Sequence, residues 1–177
     1  YNRLEGWTNI DSDPDSAADR VMQAHDLRLN GSCAAEIRAL QLIEHLGFFR
    51  SKYFLSECWR VLRPGGLLLL ETPDIAATFR TFLDGDLRAR EASLGWGYGA
   101  ETPGMRHVYC MPEELLREML REAGFGVRAV SHFLFQPHRP ALRVEAVKEE
   151  NDAAALNAAL RRRLLDRGVA EPAREEE

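Results

Sequence analysis

The chain has 177 residues, of which 45% are hydrophobic and 29% charged, and a formal net charge of −5. This length and composition suit one globular domain with its own core, and the negative charge argues against a nucleic-acid-binding surface. The three cysteines lack metal-ligand spacing, which predicts no metal site and favours reduced thiols in a cytoplasmic protein. We expect no membrane span and no signal peptide, since no suitable apolar run is present.

The first part of the sequence predicts two short strands that end in acidic residues. Gly6–Asp11 is typical of a strand that ends in an acid, and Ser12–Ser16 is rich in turn residues. Ala18–Asp26 alternates loosely in hydropathy and also ends near an acid. Asn30–Ser32 then indicates a turn before the next element.

The middle of the sequence predicts a strand, a helix and a second strand. The apolar-rich run Ile37–Ile43 predicts a buried strand that breaks at the Glu-His pair after it. Ser51–Leu62 carries an apolar stripe at helical spacing, with its charged residues turned elsewhere, and Pro64–Gly66 ends that helix. Leu67–Leu70 is an unbroken apolar run, as in a strand covered on both faces. This order and length indicate a parallel βαβ unit.

The second half of the sequence predicts two helices and an antiparallel strand pair. Asp74–Leu83 predicts a short helix that its first Asp caps. Gly85–Gly104 is polar and glycine-rich, which predicts an irregular segment and no regular element. Pro112–Ala123 predicts a helix with a clear apolar stripe. Gly126–Phe135 and Ala141–Lys148 predict two strands joined by a turn.

We expect residues 1–150 to form one domain and residues 151–177 to form a C-terminal helix with an acidic tail. Asn151–Arg167 is rich in alanine and leucine, and this helix is predicted to pack on the outside of the domain or on a partner. A homodimer through this helix is one such expectation. Because the sequence begins at Tyr1, we also expect further residues upstream.

The central motifs resemble a known family. LIEHL at 42–46, ECWRVLRPGG at 57–66 and LLLLETPD at 67–74 are similar to the second half of a class I S-adenosylmethionine-dependent methyltransferase, of a type 11-like kind. The resemblance implies an α/β, Rossmann-like sheet that is mostly parallel, with an antiparallel C-terminal hairpin strand. It also implies S-adenosylmethionine as the cofactor. A glycine-rich run with a following histidine is similar to a bacterial subgroup associated with glycan pathways.

The same resemblance implies which residues would meet the cofactor. Asp11 corresponds to the acid whose carboxylate accepts hydrogen bonds from the two ribose hydroxyls. Asp26 would accept from the adenine amine, with Leu27 beside the ring. For Asp11 and Asp26 the alternative is an ordinary turn or cap. Leu40 and Gln41 would line the cofactor, with plain core as their alternative.

The reaction that the resemblance implies needs positioning, and a base where the acceptor must lose a proton. His45 and His107 are the candidate bases, with Glu44 orienting His45; a structural role is the alternative for each. Residues 85–110 would form a substrate-side insertion. Its aromatic residues are candidate walls of an acceptor pocket, with an ordered surface loop as the alternative, and they are Trp96 and Tyr98.

The family's first strand and Gly-x-Gly loop, expected before Gly6–Asp11, are not in this sequence. That strand is central in the family order 3-2-1-4-5-7-6, so three explanations stay open. The sequence is a fragment, another segment or copy supplies the strand, or strands 2 and 4 pair directly. Two functions follow: methyl transfer to a small-molecule or glycan acceptor, or a catalytically inactive methyltransferase-like domain that serves binding or dimerisation.

Overall fold

The computed structural model describes residues 4–149, which contain four helices and two sheets. The strands are β1 (Ile10–Asp11), β2 (Arg20–Val21), β3 (Ala34–Leu40), β4 (Leu62–Pro73), β5 (Phe125–Gln136) and β6 (Arg139–Lys148). The helices are α1 (Ile43–Val61), α2 (Ile75–Asp84), α3 (Leu87–Tyr98) and α4 (Glu113–Glu122). The predicted C-terminal helix and tail lie outside the described residues.

The strands form two separate sheets, and the break between the sheets lies where the sequence predicts that strand 1 is missing. β1 and β2 form a small parallel sheet, and the larger sheet has the order β3-β4-β6-β5. β3 runs parallel to β4, whereas β6 is antiparallel to both β4 and β5. This is the predicted order without strand 1. Because β1 pairs with β2 and not with β3, the explanation in which predicted strands 2 and 4 pair directly is wrong.

Helix α1 covers the larger sheet with its predicted apolar stripe. Phe54, Leu55 and Cys58 are buried and belong to one core cluster with residues of β4, β6 and α4. The helix ends at Val61, and the chain continues directly into β4. The Pro-Gly-Gly segment is taken up as an irregularity in the β3–β4 register, with Gly65 at a positive φ of 71° that glycine adopts without strain.

The strand before α1 is shorter than predicted. β3 ends at Leu40, and the predicted strand residue Ile43 begins the helix instead. The change occurs at Gln41, which takes a φ of 53° while its N–H donates to the carbonyl of Glu71 in β4. This backbone reversal turns the chain out of the sheet before the apolar run ends. The Glu-His pair therefore lies in the first turn of α1, before a kink at Gly47.

The prediction of an irregular segment after Gly85 is wrong for its first half, because α3 occupies Leu87–Tyr98. Asp86 caps this helix by accepting the backbone N–H of Ala89, and good helix formers follow. The glycines that suggested a loop fall in the last turn, where Gly99 ends the helix at a φ of 75°. The cap at Asp86 and the good helix formers in the first turns therefore favour a helix in spite of the glycines near its end.

The other predicted elements of the second half are confirmed, whereas the strands predicted over Gly6–Asp11 and Ala18–Asp26 are each reduced to two residues. Asp74 caps α2 by accepting the N–H of Ala77, as predicted. In α4, Leu116, Met119 and Leu120 are buried on the predicted stripe. β5 and β6 form the predicted antiparallel pair. No helix within residues 4–149 combines the length and apolar character that a membrane crossing requires.

Candidate functional site

A buried carboxylate lies at the carboxyl ends of β3 and β4. Glu44, in the first turn of α1, is fully buried. Its Oε2 accepts a hydrogen bond of 2.9 Å from the hydroxyl of Thr72, near the end of β4. Its Oε1 is also buried and has no hydrogen-bond partner among residues 4–149. The ends of two parallel strands are where open α/β sheets bind their ligands.

Backbone hydrogen bonds bring the segment around His107 onto the start of α1. The N–H groups of Val108 and Tyr109 donate to the carbonyl of Glu44 at 2.8 and 3.0 Å. The Nδ1 of His45 donates to the carbonyl of Arg106 at 2.9 Å. Since Nδ1 carries the proton, the lone pair of this imidazole is on Nε2. Distant parts of the sequence are thus held together by main-chain contacts.

The two predicted histidines are in contact. The rings of His45 and His107 meet edge to face, with their centroids 4.8 Å apart. One donor atom from each of Glu44, His45 and His107 lies within 4.8 Å of the other two. We call these three residues the Glu-His-His cluster. The structure therefore brings both candidate bases and Glu44 into one group. The predicted orienting role of Glu44 is not seen, because His45 donates to Arg106 and Glu44 accepts from Thr72.

The environment of the cluster shifts two of its pKa values. Burial raises the pKa of Glu44 to about 7, against the smaller opposite effect of its hydrogen bonds. Burial lowers the pKa of His107, and the charge of His45 lowers it further, while hydrogen bonds to the backbone of Trp96 and Gly97 oppose the shift. A histidine with a lowered pKa is unprotonated at pH 7 and can accept a proton.

The two aromatic residues predicted to form a pocket wall are placed differently. Trp96 is buried, donates its Nε1–H to the carbonyl of Pro140 at 2.6 Å, and stacks on Phe135. Its ring centroid lies 6.0 Å from that of His107. Tyr98 is 72% exposed. Of the two, Trp96 is therefore the one beside the cluster.

The predicted cofactor residues Asp11 and Asp26 follow the two strands of the small sheet. Asp11 ends β1, and its Oδ1 accepts the backbone N–H of Asp13 at 3.0 Å, the turn-capping arrangement that the sequence left open. Asp26 lies in the turn after β2, with Oδ2 3.9 Å from Nε of Arg28. The adjacent Leu27 is buried. Asp11 is therefore the last residue of one parallel strand, and Asp26 lies in the turn after the other, the region in which open α/β sheets bind ligands.

An ion pair between the buried Glu57 and the partly exposed Arg60 fixes the loop that carries Asp26, and the sequence does not predict it. Oε2 of Glu57 accepts the N–H of Leu27 at 3.0 Å. Arg60 forms two 2.8 Å hydrogen bonds to the same carboxylate and donates to the carbonyls of Leu27 and Leu29 at 2.6 and 2.7 Å. We call this pair the Glu57–Arg60 clamp. The sequence predicts that Glu57 and Arg60 turn away from the apolar stripe, although their i, i+3 spacing on a helix allows an ion pair.

The two candidate residues at the end of β3 differ in exposure. Leu40 is 45% exposed, so it is not part of the core. Gln41 has a buried side-chain amide whose oxygen and nitrogen have no hydrogen-bond partner among the described residues. A buried amide without a partner is costly, which favours a ligand-facing role for Gln41 over plain core.

These features define a Rossmann-like α/β protein whose polar groups follow the carboxyl ends of parallel strands. No protein-family model matches the chain. A stretch of 81 residues is 41% identical to the demethylmenaquinone methyltransferase of Deinococcus radiodurans. The match covers 42% of this chain and 34% of the relative, so the two correspond over about a third of the relative's length.

Solved structures show the same fold. A methyltransferase from Methanosarcina mazei aligns with a TM-score of 0.55 at 15% identity, over 75% of this chain and 67% of that one. The 1,6-didemethyltoxoflavin-N1-methyltransferase of Burkholderia thailandensis, with bound 1,6-didemethyltoxoflavin and S-adenosylhomocysteine, aligns with a TM-score of 0.52 at 14% identity, over 74% of this chain and 50% of that one. The chain thus has the fold of the class I S-adenosylmethionine-dependent methyltransferases, as its motifs predict.

Proposed function

We propose that this chain carries the cofactor and acceptor sites of an S-adenosylmethionine-dependent methyltransferase with a small-molecule acceptor. The Glu-His-His cluster at the carboxyl ends of β3 and β4 is the observation that carries this proposal. It supplies unprotonated imidazole beside the position where this fold binds ligands. The name of the Deinococcus radiodurans relative includes a small-molecule substrate, which favours that class over a glycan.

The two sides of the site have separate tasks in this proposal. Bound S-adenosylmethionine supplies the electrophilic methyl group. Asp11 and Asp26 accept hydrogen bonds from its ribose and adenine, and the Glu57–Arg60 clamp positions the loop that carries Asp26. The lone pairs of the Glu-His-His cluster face the acceptor, whose proton must leave when its oxygen or nitrogen is methylated.

The cofactor side is tested by titrating the protein with S-adenosylhomocysteine in a calorimeter. We expect Asp26→Ala to weaken binding at least about tenfold, because the adenine amine loses its acceptor. Asp15→Ala is the matched control, since Asp15 is an exposed acid in the neighbouring turn and is expected to leave affinity unchanged. Absence of binding to the wild-type chain would overturn the proposal.

The acceptor side is tested by following S-adenosylhomocysteine formation with a panel of phenols, quinols and amines. For an active acceptor we expect His107→Asn to lower kcat at least about 100-fold and to leave S-adenosylhomocysteine affinity nearly unchanged. Cofactor binding without turnover of any acceptor class would instead support the alternative of an inactive binding domain.

A further inference from the structure

The Glu-His-His cluster has the composition of a metal site. Two imidazoles and one carboxylate form a donor set that suits zinc, cobalt, nickel and ferrous iron. The donors come from the start of α1 and from the segment before α4, so the tertiary fold, and not local spacing, assembles them. Their separation of at most 4.8 Å needs to shrink only modestly, because ligands of a tetrahedral ion with bonds of about 2.1 Å lie about 3.4 Å apart.

A second observation points to a cation at this place. Oε1 of Glu44 is buried and lacks a hydrogen-bond partner among the described residues. A carboxylate oxygen without a partner is costly to bury, and a cation offsets that cost. The carboxylate is already oriented, since its other oxygen accepts from Thr72. An unpaired buried oxygen therefore belongs to a residue that lies close to two further potential ligands.

The hydrogen bond of His45 is the one that metal-binding histidines usually make. Its Nδ1–H donates to the backbone carbonyl of Arg106, which fixes the ring and leaves the lone pair of Nε2 free to ligate a metal ion. Ligand histidines commonly donate their second ring nitrogen in this way to a carbonyl or carboxylate. Orientation by Thr72 and Arg106 thus prepares two of the three donors before any ion binds.

We propose that Glu44, His45 and His107 bind one divalent transition-metal ion, of the zinc or cobalt type, at the acceptor side of the site. Three protein ligands leave a coordination position open for an acceptor hydroxyl. The ion would lower the pKa of that hydroxyl, so its proton would pass to solvent water; with the ion bound, the three side chains would act as ligands and His107 would no longer be the base. This role rests on the proposed function, whereas metal binding itself does not.

The test is a Co²⁺ titration of the full chain, followed by visible absorption between about 500 and 700 nm and by calorimetry. We expect about one equivalent to bind, and His45→Asn and His107→Asn each to weaken binding at least about tenfold. His132→Asn is the matched control, because His132 also contacts two carboxylates, those of Asp74 and Glu113. No binding by the wild type, or loss only in the control variant, would overturn the proposal.

A second measurement needs no variant and covers the case in which a substitution disturbs folding. In the nuclear magnetic resonance spectrum of the wild-type chain, Co²⁺ should shift or broaden the ring signals of His45 and His107 first. The signals of the other histidines should respond later, and these are His25, His132 and His138. A response that begins at any of those three would contradict the assigned site.

S-adenosylhomocysteine binding is measured on the same protein preparation, so the two proposals fail separately. Cofactor binding without Co²⁺ binding removes the metal site and leaves the methyltransferase proposal standing. Co²⁺ binding at His45 and His107 without cofactor binding supports the metal site and overturns the proposed function. Where Co²⁺ binds, zinc should compete for the same site, and the visible absorption should disappear when zinc is added.

Discussion

The two sheets of this protein are stabilised in different ways. The four-stranded sheet has a continuous apolar core, to which β4 and β6 contribute several of the fully buried side chains, Leu68, Leu70, Val144 and Ala146. The two-stranded sheet has only two residues in each strand, and both residues of β2 are exposed. Burial therefore stabilises the proposed acceptor side, which lies on the four-stranded sheet, while the proposed cofactor side on the two-stranded sheet must rely on other contacts.

Directional polar contacts hold the two-stranded sheet. The side chain of Asn9 donates to the carbonyls of Leu4 and Trp7, and its backbone carbonyl accepts from two residues that lead into β2. The Glu57–Arg60 clamp then joins the following loop to α1. Such contacts depend on geometry more than apolar packing does, so small changes should affect the cofactor side locally and the acceptor side globally.

The largest expected effect is the loss of stability when a core residue of the four-stranded sheet is truncated, compared with a truncation in the two-stranded sheet. Leu68→Ala should lower the free energy of unfolding by about 4 kcal/mol, because it leaves a cavity in a fully buried site of β4. Val21→Ala in β2 is the matched control and should cost less than about 0.5 kcal/mol, since Val21 is 53% exposed. Urea denaturation measures both. Equal costs would show that the small sheet is as tightly packed as the large one.

The next effect concerns the charge within the acceptor side. Because burial raises the pKa of Glu44 to about 7 from an ordinary 4.5, the folded chain binds this proton more tightly than the unfolded chain. Stability should therefore fall as pH rises between these two values and change little above them. Two to three pKa units correspond to about 3 kcal/mol. Glu44→Gln keeps the Thr72 contact and should abolish this loss.

The measurement is urea denaturation from pH 4.5 to 8 with a chelator present. The Gln variant is the control, since it retains the other titratable groups of this region, His45, His107 and Cys110. We expect the wild type to lose about 3 kcal/mol relative to the variant across this range. A difference that stays flat with pH would mean that Glu44 has an ordinary pKa in the folded chain.

How far the sequence predicts the molecule depends on the range of the interactions. The apolar stripe of α1 and the cap at Asp74 are local patterns, and the structure confirms both. The glycines after Gly85 predict an irregular segment, whereas the structure has the helix α3, which the side chain of Asp86 caps. The sequence predicts His45 and His107 as separate candidates and does not predict their contact. That contact depends on hydrogen bonds to the main chain between segments that are distant in sequence.

The clamp is a further case in which composition alone misleads. Charged residues on a helix are usually solvated, and the sequence predicts that Glu57 turns away from the apolar stripe of α1. In the structure it is buried, because the loop after β2 supplies an N–H donor and Arg60 supplies the compensating charge. Only knowledge of where that loop returns to α1 would have predicted this arrangement.

The smallest expected loss of stability comes from breaking the Glu57–Arg60 clamp, and its structural effect should be confined to the loop after β2. Arg60→Ala should lower the free energy of unfolding by about 2 kcal/mol, since it leaves the buried carboxylate of Glu57 without its cation. The cost is at the low end for a buried pair because Arg60 is itself partly exposed. Arg63→Ala is the matched control, an exposed arginine nearby at the start of β4, and should change stability little.

The local consequence of Arg60→Ala is measured by amide hydrogen exchange. Exchange should rise in residues 20–32, where the N–H of Ser32 donates to the backbone of Arg60 and the loop carbonyls lose their donors. Exchange in β4 and β6 should stay slow, because their core is untouched. S-adenosylhomocysteine affinity should fall with the loosened loop that carries Asp26. If exchange rose equally in both sheets, the cofactor side would not be an independently held region, and the contrast between burial and directional contacts would be wrong.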